Sequence, residues 1–405
     1  MIVVNDDLLA PDLIAEPFDY YRRLRAEMPI HYNERWRGWV LSTYEDVAWS
    51  LRDKRMLADT ITPYFQTKLT AAERERFAPT YAVLNSWVVF LDPPKHTRLR
   101  KIFSKAFTPT SVKRMRADVQ AIVEETLAGW TGRSEVDLVG DYAGTLPASV
   151  IATVIGAPRA DLPLFHRWAD DLTNLLHGGV GTDMRLERAQ AAILEFKDYL
   201  QDLYDDHVRQ PRDDMMGWLM AVEREDDLLT PDDVLHACML LLNAGHETTQ
   251  NLIANSVATL VEQPDQMALL GREPDLVRTA IEECLRLNGP MKGTMRIAAE
   301  DMTIRDQTIR EGERIMLLMA AANRDPEKFE RPDVFDIRRW PNPHLSFGHG
   351  IHFCLGAPLA RLELELTLLE FSKRFKTLQL NGAATYQPRI LSRSIEPPLT
   401  LTIAT

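Results

Sequence analysis

Cysteine is scarce in this chain. Three thiols, Cys238, Cys284 and Cys354, are spread over 405 residues. So odd and sparse a set supplies no disulfide framework and fits a reducing compartment. Net basic charge is missing as well: 59 acidic against 47 basic residues leave a formal charge of −12. That argues against nucleic acid as a general partner. No apolar run reaches a membrane-spanning length before polar groups interrupt it. The start, MIVVNDDLLAPD, turns acidic without a basic n-region or an apolar h-region. Internal repeats, low-complexity tracts and Gly/Ser linkers are absent too. Together these absences lead us to expect a soluble, cytoplasmic protein forming one structural unit over residues 1–405. Neither a membrane nor a nucleic acid is expected as a partner.

What is present is mostly helical periodicity. The chain is 45% hydrophobic, enough for a sizeable core. PFDYYRRLRAEM, EDVAWSLRD, VKRMRADVQAIVEETLAGW, RLERAQAAILEFKDYLQDLYDDHV and PDLVRTAIEECLRLN all place apolar residues at three- and four-residue spacing. Strand-like runs cluster at PIHYN and GWVLST, and again at TMRIAAEDMTI, TIREGERIMLLMA and PPLTLTIAT. The expected fold class is mainly α with small β-sheets.

One helix is unusually well specified. Thr230 can cap it, Pro231 suits the first turn and Asp233 completes a capping box. From there the pattern runs to about Pro264 and is apolar on nearly every face, which predicts burial. AGHETT, Ala244 to Thr249, interrupts it. Glycine and threonine are poor helix formers, and a buried glutamate is costly unless paired. Such a cluster of local violations marks either a functional site or a packing glycine with polar neighbours in a crevice.

The last cysteine sits in FGHGIHFCLG, Phe347 to Gly356, directly before the helical run APLARLELELTLLEFSKRF. A thiol ahead of a helix N-terminus is biased toward thiolate, the metal-binding form. Gly348 and Gly350 permit a turn that residues with a Cβ could not follow, and Gly356 allows close backbone approach. Phe347 and Phe353 could shield a large apolar partner. A lone cysteine is often only a small hydrophobe, but this setting favours a single-thiolate metal site. One cysteine cannot build a structural zinc tetrahedron, whereas a thiolate axial ligand to haem fits.

FGHGIHFCLG resembles the haem-binding loop of the cytochrome P450 family, Phe-x-x-Gly-x-x-x-Cys-x-Gly, with Phe347, Gly350, Cys354 and Gly356 matching. The resemblance implies that Cys354 is the proximal iron ligand and that His352 bonds a haem propionate. EECLR is similar to the family's Glu-x-x-Arg signature. Glu283 and Arg286 would form a buried network with Arg339 that locks the scaffold behind Cys354, although Arg338 stands beside Arg339. Read alone, the pair could equally be a weak surface ion pair. AGHETT resembles the family motif (Ala/Gly)-Gly-x-(Asp/Glu)-Thr. Ala244 and Gly245 would leave room over the haem face, and Thr248 would loosen the helix there. Glu247 and Thr248 would be the acid–alcohol pair that relays protons. Many relatives use Asp where this chain has Glu. In DPPKHTRLR, His96 and Arg100 look like the family's propionate-binding His-x-x-x-Arg, and Arg296 is similar to another propionate contact.

By resemblance the fold is a triangular, single-domain cytochrome P450 over 1–405, holding non-covalent haem b. The implied function is a monooxygenase that inserts one oxygen atom from dioxygen into an apolar or partly oxygenated small molecule. A peroxide-driven peroxygenase of the same fold and a haem gas sensor or carrier are the rivals. Retention of Glu247 and Thr248 counts against both. Electrons would come from NAD(P)H through a separate ferredoxin reductase and ferredoxin. Pro93 to Ala117 carries Lys95, Arg98, Arg100, Lys101, Lys105, Lys113, Arg114 and Arg116 with no acidic residue, an expected dock for an acidic ferredoxin. Leu240, Asn243, Met291, Lys292 and Thr294 are expected at the substrate pocket, with Asn243 or Lys292 as polar anchors unless Lys292 reaches solvent or pairs with an acid. Asp59 to Phe90, GVGTDM and the segment after Arg286 are candidate specificity regions.

Overall fold

The computed structural model describes residues 7–178, 184–226 and 229–404. Most of GVGTDM therefore lies outside the described residues. The helices used below are α1 (Phe18–Glu27), α2 (Lys95–Ala106), α3 (Thr145–Ile155), α4 (Leu162–Leu176), α5 (Arg185–Arg209), α6 (Pro231–Val261), α7 (Val277–Asn288) and α8 (Ala357–Arg374). Among the described residues ten short strands accompany them: β1 (Ile30–Asn33), β2 (Gly38–Leu41), β3 (Met56–Leu57), β4 (Glu135–Asp137), β5 (Thr294–Ala298), β6 (Met302–Ile304), β7 (Gln307–Ile309), β8 (Arg314–Leu317), β9 (Thr377–Leu380) and β10 (Thr400–Ala404). The mainly helical class with small sheets is as expected.

Two compact units emerge. One draws on Met1–Ala58, Val123–Ala143 and Thr248–Thr405, the other on Asp59–Ile122 and Gly144–Glu247. No linker marks the crossings, and one falls inside the continuous helix α6.

In the first unit a five-stranded sheet runs in the order β1-β2-β8-β5-β3. β1 and β2 form an antiparallel hairpin with Ile30 opposite Leu41, and β8 joins β2 in parallel with Leu41 beside Leu317. Leu41, Ile315 and Leu317 are fully buried in one cluster with Val47 and Leu345. Leu345 brings the approach to the Cys354 loop into that core. A second sheet, β4-β10-β9, sits elsewhere in the same unit. α8 anchors on an aromatic group in which Phe371 lies 5.1 Å from Tyr142 and 5.6 Å from Trp130.

In the second unit α4 packs on α5 through stacked Trp168 and Phe196, with ring centroids 4.6 Å apart. α6 begins with the expected capping box. The Thr230 backbone N–H donates to the Asp233 carboxylate at 2.8 Å, and the Asp233 N–H donates back to the Thr230 hydroxyl at 3.2 Å. The helix then runs unbroken to Val261, so the loosening expected at Thr248 does not appear in the backbone. The stretch Leu138–Ile155 is apolar and long enough to cross a membrane, but 78% of it is buried inside the protein, as in a core helix.

α8 also buries a carboxyl group. Glu363 is 1% exposed, its Oε2 has no hydrogen-bond partner, and burial raises its pKa well above the ordinary carboxylate value. The folded state thus keeps a proton that the unfolded chain releases, so stability falls as pH rises past the unfolded value. Glu363→Gln is expected to flatten this slope between roughly pH 5 and pH 8. Its melting temperature should exceed the parent's at the alkaline end and match it at the acid end. Parallel melting curves across that range would contradict the assignment.

Candidate active site

The Cys354 loop is a closed turn. The Cys354 N–H donates to the Phe347 carbonyl at 2.9 Å, and the Phe353 N–H donates to the Gly350 carbonyl at 3.1 Å. Gly348 and Gly350 both take φ +71°, the left-handed region that glycine enters freely. At Gly350 a Cβ would also stand 2.9 Å from the Leu51 carbonyl. Two independent constraints therefore demand glycine there. Cys354, Ile351 and Phe353 are exposed at the tip. The other two cysteines are buried, which pushes each thiol up to about 12. Cys354 is the only exposed thiol of the three.

Behind the loop lies the Glu-x-x-Arg pair, fully buried rather than on the surface. Arg286 Nε and Nη2 donate to Glu283 at 2.8 Å each. Arg286 also donates to the carbonyls of Asn323, Pro332 and Val334 at 3.0, 2.6 and 3.2 Å. Glu283 in turn accepts from the Asp336 N–H, Arg339 Nε and Asn342 Nδ2 at 3.0, 3.1 and 3.0 Å. The third member is therefore Arg339. Arg338 pairs at the surface with Glu273.

The sequence reading passed over a second network. Glu282, the other glutamate of EECLR, accepts from Arg361 Nε and Nη2 at 2.7 and 2.8 Å and lies 2.9 Å from His344 Nε2. Burial acts to raise this carboxyl, but the hydrogen bonds from Arg361 and His344 outweigh it and hold the pKa at about 2. Arg361 also stacks on the Phe347 ring, 4.5 Å from its centroid. Asn323 and Ser346 complete the latch. Asn323 donates to the Ser346 hydroxyl at 2.9 Å and accepts from the Leu345 N–H at 2.7 Å, while Ser346 Oγ donates to the Leu285 carbonyl at 2.6 Å. A pair of adjacent glutamates on α7 was the available signal, since consecutive helical residues face different neighbours.

On α6, Leu240, Ala244 and Thr248 recur at four-residue spacing. Ala244 is exposed and the other two are half-buried, although most of the helix is buried. This accessible stripe in mid-helix is what a flat apolar group could cover. At Gly245 a Cβ would meet Ile151 Cδ1 at 2.6 Å, so the missing side chain admits α3. Glu247 is buried. Asn243 is also buried, with Oδ1 unpartnered. His246 packs edge-on against His166 of α4 at 4.5 Å, and burial, then the neighbouring ring of His166, lower its pKa to about 3.

Of the expected propionate contacts, His96 and Arg296 are buried, and Arg100 and His352 are half-buried. Arg296 donates to the Met295 carbonyl at 2.7 Å and to the Thr294 hydroxyl at 3.2 Å. Thr294 thus helps to orient Arg296. Lys292 follows neither simple expectation. It is buried, and Nζ donates to the Arg389 carbonyl rather than reaching solvent or an acid. Met291 packs against the sheet core. On α2 and beyond, Lys95, Arg98, Lys101, Lys105, Lys113, Arg114 and Arg116 are all exposed.

The residues fit a haem. They offer an exposed thiol ahead of a helix, glycines at Gly348 and Gly356 where a Cβ would meet nothing within 3.8 and 3.9 Å respectively, and a buried guanidinium at Arg296. Among the described residues no three His, Cys, Asp or Glu side chains cluster to hold a metal. A metal on Cys354 must therefore arrive with other ligands of its own, as iron in a porphyrin does.

The comparisons with known proteins agree with this chemistry. A family model described as Cytochrome P450 matches residues 151–388. The biotin biosynthesis cytochrome P450 of Bacillus subtilis is 37% identical, with 98% of each chain covered. The cytochrome P450 monooxygenase PikC of Streptomyces venezuelae is also 37% identical, over 97% of this chain and 93% of its own. A crystal structure of P450BioI with a hexadec-9Z-enoic acid-ligated acyl carrier protein superposes with a TM-score of 0.90 at 36% identity, covering 97% of this chain and 99% of that one. The site defines a haem-iron oxidoreductase. The chain belongs to the cytochrome P450 family. It is a monooxygenase that acts on a small molecule and works with redox partners.

Glu283→Gln leaves Arg286 buried against a weaker acceptor. It is expected to cost about 3–5 kcal/mol, the range for breaking a buried pair, as measured by denaturant unfolding. Arg338→Ala should stay within about 0.5 kcal/mol. Equal losses in the two variants would mean that Glu283 does not hold the scaffold.

Proposed function

We propose that the cofactor is haem b with Cys354 as its axial ligand, that Glu247 and Thr248 manage protons, and that electrons come from NAD(P)H through a ferredoxin reductase and a ferredoxin. The single observation that carries this reading is the exposed Cys354 thiol, held in a glycine turn ahead of α8. When bound, haem supplies the oxidising chemistry, and a thiolate ligand favours O–O cleavage. The chain's own work is positional. Glu283 and Glu282 fix the loop through Arg286, Arg339, Arg361 and His344. His96, Arg100, Arg296 and His352 would neutralise the carboxylates of the cofactor edge. Phe347 and Phe353 would exclude water from the thiolate. The Thr248 hydroxyl would hold or pass a proton beside the accessible stripe of α6, with Glu247 next to it as the acid. Retention of both groups favours dioxygen over peroxide as the oxidant. We treat 1–405 as one catalytic unit and read it as cytoplasmic.

The exposed lysines and arginines from Lys95 to Arg116 would receive an acidic ferredoxin. Surface attraction of this kind weakens with salt, because screening sets in beyond about 8 Å at physiological ionic strength.

The test uses purified holoprotein with a ferredoxin and its reductase. The ferrous–CO complex should show the red-shifted Soret band of thiolate ligation. Cys354→Ala should lose that band and all turnover, whereas Cys238→Ala and Cys284→Ala should keep both. Thr248→Ala should still consume NAD(P)H but divert more of it to peroxide or water. An imidazole-type spectrum in fresh protein would overturn the ligand assignment, and unchanged coupling in Thr248→Ala would overturn the proton path.

For the substrate, the unpartnered Oδ1 of Asn243 supports one polar anchor. It lies four residues before Glu247 on the same face of α6 and would accept from a hydroxyl or N–H near the oxidised carbon. Lys292 spends its amine on a backbone carbonyl and is not proposed as an anchor. Asn243→Leu should weaken binding of the true substrate roughly tenfold or more, because a site built for a hydrogen bond discriminates strongly. It should also scramble regioselectivity. Unchanged affinity and product ratio would rule this anchor out.

A further inference from the structure

Lys292 sits in the short segment between α7 and β5, and its backbone is held from both sides. Its N–H donates to the Leu391 carbonyl at 2.7 Å, and its carbonyl accepts from the Ala320 N–H at 2.9 Å. One residue pair away, the Arg393 N–H donates to the Pro290 carbonyl at 2.8 Å. These bonds bring two cationic side chains into one buried place. Lys292 is 6% exposed and Arg393 7%.

The acceptors these cations find are all neutral. Lys292 Nζ donates to the Arg389 carbonyl. Arg393 donates to Asn288 Oδ1 at 2.9 Å and to the carbonyls of Ile14 and Ala15 at 3.3 Å each. Its guanidinium carbon also lies 3.6 Å from the ring centroid of Tyr386 and 5.2 Å from that of Phe18. Among the described residues neither cation has a carboxylate within ion-pair distance. Burial, and then the charge of Arg393, lower the Lys292 pKa to about 7. Two like charges removed from water without a counter-charge are a costly arrangement.

A small cavity opens against both side chains. Its polar wall is Tyr21, Asn288, Lys292, Asn323, Ser346 and Arg393, and no Asp or Glu lines it. It has room for about one water-sized group. Arg286 also borders it but is already neutralised by Glu283. The wall therefore carries two cationic side chains with no carboxylate partner, and space for a single small occupant.

We propose that this cavity binds one monovalent, monoatomic anion, chloride in the cell, between Lys292 and Arg393. The small space favours a single small ion over phosphate or sulfate. The charge of the wall selects an anion over water, because the ion supplies the counter-charge that both cations lack. Asn323 and Ser346, on the same wall, are the residues that latch Leu345 and Leu285 beside the Cys354 loop. An ion here would stiffen the support of that loop without touching the cofactor or the substrate.

The experiment is thermal unfolding of the holoprotein at fixed ionic strength, with sodium chloride or bromide replacing sodium gluconate, whose anion is too large for the cavity. A saturable rise of roughly 2–4 °C is expected in either halide. The rise should be absent in Lys292→Met, and in Lys292→Gln should the first variant fail to fold. Bromide-soaked crystals should place an anomalous peak beside Lys292 Nζ. Equal melting in halide and gluconate would overturn the proposal. So would an equal halide increment in the Lys292 variants, or a bromide map empty at this position.

Discussion

The buried carboxylate of Glu283 is the interaction on which the rest of the first unit depends. It gathers Arg286, Arg339, Asn342 and the Asp336 N–H around one pair of oxygens. An isolated buried charge would be strongly unfavourable, and so is a buried pair with poor geometry. Here the guanidinium of Arg286 meets the carboxylate in a two-pronged fork, and its remaining donors reach three carbonyls of the 323–334 segment. The irregular chain between β8 and α8 has little regular secondary structure of its own. Its shape is set by donors converging on one anion, and that shape delivers Phe347 and Cys354 to their places.

This arrangement was legible in part. The loop glycines, Cys354, the capping box at Thr230 and the helix-period runs follow from local chemistry, and the structure realises each of them. That Arg286 and Glu283 are interior could not be read from EECLR, because a three-residue spacing produces the same pairing on a wet surface. Nor could the choice between Arg338 and Arg339, which turns on the path of the chain after Pro332. Glu282 was hidden for a related reason. Its partners, Arg361 and His344, are 79 and 62 residues away, and no local pattern connects them.

Gly245 illustrates a different limit. A glycine inside a helix announces that something lies close, but not what. At this position the neighbour is Ile151 of α3, and helix packing gives the glycine a reason. The accessible stripe belongs to Leu240, Ala244 and Thr248, with the exposed alanine at its centre. The motif therefore carries two separate functions on two faces. One admits a neighbouring helix and the other leaves open space. A sequence pattern merges them because the residues are consecutive.

The same separation of faces explains why Asn243 and Lys292, equivalent as polar residues in apolar company, come to different ends. Asn243 sits on a helix whose side-chain directions follow from its period, and its short side chain leaves Oδ1 without a partner. Lys292 lies in the bend ahead of β5 and has four methylenes of reach. That freedom lets its amine turn toward the Arg389 carbonyl and the positive cluster around Arg393. A short polar group on a helix can be left with an acceptor unmet, as Oδ1 of Asn243 is. A long, flexible one satisfies itself within the protein and carries its charge to where the surrounding groups must answer it.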